Sequence, residues 1–142
     1  MFSPTRDQAR KLFFDTWTKY QAQQHLEGAE SLALEAILAH PEYHHMLDDP
    51  ERYLDQDYPP ELNATNPFLH LFMHVAIAEQ LSIDQPPGIR LRYERLLRTY
   101  GDAMTAQHVI MECLAEMIWQ AQRQRGAFDP TIYMDCLDSN LK

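Results

Sequence analysis

Glycine is scarce in this chain, with four in 142 residues: Gly28, Gly88, Gly101 and Gly126. A β-rich fold needs more turn glycines and more β-branched runs, so the scarcity argues against sheets. The four are too far apart to build a phosphate-cradling loop, and no serine sits in a nucleophile-elbow pattern. Each glycine falls where a predicted helix starts or ends.

Cysteine is nearly as rare. Cys113 and Cys136 form no Cys-x-x-Cys and each falls inside a predicted helix. Buried reduced thiols are the expectation, and no disulfide framework is suggested. Long apolar runs are missing too. The longest, Pro67 to Ala78, is too short to span a bilayer and is interrupted by two histidines. The opening MFSPTRDQARK has no apolar signal core, so the expected setting is the cytoplasm, without a membrane partner.

Positive charge is also short: 12 Lys and Arg face 21 Asp and Glu, a formal net charge of −9. Seven carboxylates crowd the stretch from Glu42 to Glu61, against Arg52 alone. Such a surface repels phosphate backbones, which disfavours nucleic-acid binding. Two basic groups remain: Arg6, Arg10, Lys11 and Lys19 on the first helix, and Arg90, Arg92, Arg95 and Arg98 on a later one. Both read as solvated helix faces.

What is present is helical periodicity. Apolar residues make up 45% of a chain the length of one ordinary domain, enough for a core without staples. Ser3-Pro4 reads as a cap and first-turn proline for a helix reaching about Gln24, with Ala9, Phe13, Trp17 and Tyr20 on its apolar stripe. A second helix runs from about Glu30 to Ala39, with Leu34, Ile37 and Leu38 as its apolar side, and Pro41 stops it. Single turns can follow at Pro41–Leu47 and Pro50–Asp55. Tyr58 to Pro67 is a proline-rich internal loop, bounded at about 56–66.

Asn66-Pro67 repeats the cap-then-proline signal. The helix it opens runs to about Ile83 and is apolar nearly all round, as a central helix should be. Further helices are predicted to about Tyr100, from Ala103 to about Arg125, and after Asp129-Pro130. Ile89, Tyr93, Leu96, Leu97 and Tyr100 form the stripe of the first of these. Short connections favour antiparallel neighbours. The expected fold is all-α: one domain over 1–142, an antiparallel helical bundle of about five to six helices.

Chemistry concentrates in the histidines. His70 and His74 lie four apart on the most apolar helix and so share one face. His108, Glu112 and Glu116 repeat that spacing on the longest helix. Were the two helices neighbours, His70, His74, His108 and Glu112 would form a competent set for zinc or another first-row divalent ion, with Glu116 as an outer partner or base. The specific motifs are absent: Leu71 stands where a zinc peptidase has glutamate after its first histidine, and the Glu-x-x-His of di-iron bundles is missing. The plainer alternative is a hydrogen-bonded core pair at His70 and His74 beside a water-facing stripe at His108, Glu112 and Glu116. His40, His44 and His45, in HPEYHH, read as exposed loop histidines, with His44 or His45 able to add a ligand.

The segments FSPTRDQAR, HPEYH, DYPPE, NPFLHLFMHVAIAEQ, QPPGIR and HVIMECLAEMIWQAQR resemble an uncharacterised bacterial family, the domain-of-unknown-function family numbered 1841. The resemblance covers nearly the whole chain. It implies a bacterial cytoplasmic protein and carries no catalytic residues. The functional expectation is a non-catalytic binding or structural protein, a homo-oligomer or an adaptor with a protein partner. The alternative is a metal-binding protein or metal-dependent hydrolase using the His/Glu set.

Overall fold

The computed structural model describes residues 6–56 and 66–141. The expected cap at Ser3-Pro4 and all but the margins of the expected loop lie outside these residues. All regular structure among the described residues is helical. The elements are α1 (Arg6–Gln21), α2 (Ala29–Ala39), a 3-10 turn (Pro41–Tyr43), α3 (His44–Leu47), α4 (Pro50–Tyr53), α5 (Pro67–Ile83), α6 (Ile89–Tyr100), α7 (Ala103–Gln124) and α8 (Pro130–Ser139). Among the described residues eight α-helices stand where five to six were expected, because α3 and α4 are single turns started around Pro41 and Pro50. No helix among the described residues is long and apolar enough to cross a membrane. The chain divides into two compact units, Met1–Ala76 and Ile77–Lys142.

In the first unit, α1 packs on α2 and α3. Phe13, Phe14 and Trp17 of α1 are buried with Ala33, Ala36 and Ile37 of α2, Met46 and Leu47 of α3, and Phe68, Leu71 and Val75 of α5. The buried side of α2 therefore runs through its alanines, and Leu38, expected inside, is exposed. Small side chains let α1 and α2 approach closely, which size-based reading of the stripe misses. Tyr20 is likewise exposed, beyond the buried end of its stripe.

Arg10 corrects the solvated-face reading of α1. It is buried, its Nη1 donating to the carbonyls of Leu54 and Gln56 at 2.8 Å each and of Tyr53 at 3.4 Å. Its guanidinium also lies 4.6 Å from the ring centroid of Phe68. A buried cation persists only when hydrogen-bonded, and these carbonyls meet that need while capping the end of α4.

In the second unit, α6, α7 and α8 pack on one another. Ile89 and Leu96 of α6, Ile110, Cys113, Leu114 and Met117 of α7, and Tyr133 and Leu137 of α8 are buried. Tyr100, expected on the buried stripe of α6, is exposed. Asp102 caps α7 by accepting from the Thr105 N–H at 2.8 Å and from its hydroxyl at 2.7 Å. Arg92 leaves the expected basic face to bind Asp138 through two bonds of 2.8 and 3.1 Å. Arg90 donates to the Leu81 and Ser82 carbonyls at the end of α5.

The two cysteines correct the reduced-thiol expectation. Cys113 of α7 and Cys136 of α8 form a disulfide, with Cα atoms 5.5 Å apart. The packing of α7 on α8 supplies that approach, within the range a disulfide requires.

Candidate metal centre

The site begins at the end of α2. Ala33, Ala36 and Ile37 step along the buried side at helical spacing, and the next position on that side is His40. Pro41 then disfavours helical geometry at His40, which adopts φ −127° and ψ 70° while its N–H still bonds the Ile37 carbonyl. His40 is thus turned out of the helix with its side chain kept inside, 5% exposed. This corrects its reading as an exposed loop histidine.

The other two rings come from α5. The Asn66 carboxamide oxygen accepts from the Phe68 and Leu69 N–H groups at 3.0 and 3.2 Å, and Pro67 fills the first turn. This capped start fixes the phase of α5. His70 and His74 fall on one face, beside buried Leu71 and Val75.

The three imidazoles converge through one atom type. His40 Nε2 lies 2.8 Å from His74 Nε2 and 3.2 Å from His70 Nε2. His74 Nε2 lies 3.2 Å from His70 Nε2. The rings meet edge-on or tilted, at interplanar angles of 89°, 42° and 70°. Donor nitrogens this close form a set that could hold a metal ion.

On the far side of the ring, His40 Nδ1 lies 3.2 Å from Glu42 Oε2. An Nδ1–H donated to this carboxylate leaves the Nε2 lone pair facing the other rings. The Glu42 carboxyl is held below its ordinary range, first by a hydrogen bond from its own backbone N–H, then by His40. Tyr43 stacks on His40 with centroids 5.4 Å apart and meets His70 edge-on at 6.1 Å. Burial, and then the nearby Glu42 charge, push the Tyr43 phenol above its ordinary value.

His44 pairs with the Ile37 carbonyl at 2.9 Å and packs against Trp17, so it is neither an exposed loop histidine nor turned to the cluster. His45 is exposed, as expected, and meets Tyr53 edge-on. His108, Glu112 and Glu116 lie on α7 in the second unit, where His108 is half-buried and both glutamates are exposed. Glu116 accepts from Gln120 at 3.0 Å.

The family model described as Domain of unknown function (DUF1841) matches residues 5–139. The chain belongs to this family. No curated protein and no solved structure matches it.

For this DUF1841 chain, the sequence named His70 and His74 and missed His40. The signal for His40 was present as its three- and four-residue spacing from Ile37 and Ala36, combined with Pro41 behind it. It becomes readable once the alanine side of α2, and not its leucine side, is taken as buried.

Proposed function

We propose that this DUF1841 chain binds a first-row divalent metal ion through the Nε2 atoms of His40, His70 and His74. One observation carries the reading: the three nitrogens form a closed triangle with edges of 2.8, 3.2 and 3.2 Å.

Hydrogen bonds alone cannot satisfy such a triangle. Each Nε2 presents either one N–H or one lone pair. With two kinds of atom on three corners, at least one edge must join two N–H groups or two lone pairs, and that edge is repulsive. A cation resolves all three edges, because every corner can then turn its lone pair inward.

The dimensions agree. A triangle with these edges has a circumscribed radius of about 1.8 Å, shorter than the roughly 2.0–2.1 Å zinc–imidazole bond. A single ion would therefore lie within bonding distance of all three nitrogens. A donor set of imidazoles suits zinc, copper or nickel better than magnesium or calcium. The Glu42 contact to His40 supplies the outer partner that metal-binding histidines generally use.

Such an ion would tie the C-terminal end of α2 to α5, a non-catalytic, structural use of metal in line with the binding or structural role expected from the sequence. The sequence argument offers His108 and Glu112 as further ligands.

Elemental analysis of tag-free protein tests the proposal, with melting followed before and after a chelator. About one zinc, copper or nickel per chain, lost in both His40→Ala and His74→Ala, is expected. Metal-free protein whose melting is unchanged by added zinc or nickel overturns it. The same assay on His108→Ala and Glu112→Ala tests whether either residue takes part.

A further inference from the structure

The metal reading leaves the second unit's sulfur chemistry unused. Cys113 is fully buried on α7, whereas Cys136 on α8 is half-buried, so the two sulfurs of the disulfide differ in access. Asn140 adds a second asymmetry. Its side-chain amide is held on the Cys136 carbonyl at 2.9 Å and donates to Cys113 Sγ at 3.6 Å, with Cys136 Sγ farther away at 4.0 Å. An N–H aimed at sulfur favours the thiolate over the thiol.

We propose that Cys113 and Cys136 form a reversible dithiol–disulfide site that exchanges with a small dithiol reductant through Cys136. The reductant's thiolate adds to Cys136 Sγ as the Sγ–Sγ bond breaks, and the bonding pair leaves on Cys113 Sγ. Cys113 departs as a thiolate beside the Asn140 N–H and then takes a proton from water. The reductant's second thiol loses its proton and attacks the mixed disulfide. Cys136 is released as a thiolate and protonated, and the reductant is left as a cyclic disulfide. The protein gains two electrons and two protons, and the reductant loses the same number.

The pair stays within reach of re-oxidation because α8 has other anchors. The Tyr133 hydroxyl donates to Gln80 Oε1 at 2.8 Å, and Arg92 holds the Asp138 carboxylate through two bonds. Buried Leu137 keeps the helix docked from its apolar side. Cutting the bond therefore separates two sulfurs without freeing the helix that carries one of them.

The test treats the native, full-length protein with dithiothreitol at neutral pH, follows helicity by circular dichroism, and pulses the reduced protein with a maleimide. Reduction with helicity retained is expected, with Cys136 labelled about tenfold or more faster than Cys113. Asn140→Ala should slow reduction several-fold, and a pH titration of thiolate absorbance should show the Cys113 ionisation moved upward. A bond that opens only when denaturant unfolds the chain overturns the proposal, as does faster labelling of Cys113. An Asn140→Ala variant with an unchanged rate and unchanged ionisation overturns the role given to Asn140. None of these readouts depends on the metal site, so each reading can fail alone.

Discussion

The Nε2 atoms of His40 and His74 stand 2.8 Å apart, joined across 34 residues of chain. His40 comes from a helix end stopped by proline and His74 from the middle of α5. Glu42, two residues beyond His40, holds the opposite side of the His40 ring. Glu42→Gln keeps the side chain's shape and removes its charge. Zinc affinity, measured by competition with a chromophoric chelator, should fall about 10- to 100-fold while helicity is retained. Unchanged affinity would remove Glu42 from the site.

Arg10 gives a prediction about folding. Its guanidinium serves three carbonyls and one aromatic face from a buried position. Arg10→Ala leaves those carbonyls without their charged donor and should cost about 3 kcal/mol in urea unfolding. Arg10→Lys should recover only part of this, since one ammonium cannot reproduce the planar fork.

Thr16 runs the other way. Its side chain is fully buried, and among the described residues its hydroxyl finds no hydrogen-bond partner. Thr16→Val keeps the shape and removes the unsatisfied group, so unfolding free energy should rise by about 1 kcal/mol or more. A loss of stability on this substitution would mean the hydroxyl is satisfied.

Much of the helix map was legible and much of the side-chain map was not, for different physical reasons. The bounds of α5 follow from Asn66-Pro67 and the apolar run behind it, both local signals. The inward face of α2 depends on how closely α1 approaches, and that depends on tertiary packing. Leu38 consequently looked buried and His40 looked exposed. Arg10 reads as one more surface cation until the chain near Tyr53 and Gln56 delivers carbonyls to it. The cysteine pair has no local signature at all, because 23 residues and a helix reversal separate Cys113 from Cys136.

Asp102 supplies a pH dependence. Hydrogen bonds from the Thr105 side chain, and next from its backbone N–H, hold the Asp102 carboxyl below its ordinary 3.8. A carboxyl with a depressed folded-state pKa stabilises the fold fully above its unfolded value, and that stabilisation is lost as pH falls through the folded value. The melting temperature of wild type should therefore exceed that of Asp102→Ala at pH 7. The gap should narrow below about pH 3.8. A gap independent of pH would show that the ionised cap contributes nothing beyond its neutral form.

The most direct test of the metal centre is X-ray absorption spectroscopy of tag-free protein loaded with one equivalent of zinc. The expected spectrum has at least three imidazole scatterers at about 2.0–2.1 Å, a shell that is lost in His40→Ala. A shell of oxygen scatterers without imidazole, or a spectrum identical in wild type and His40→Ala, would contradict the account.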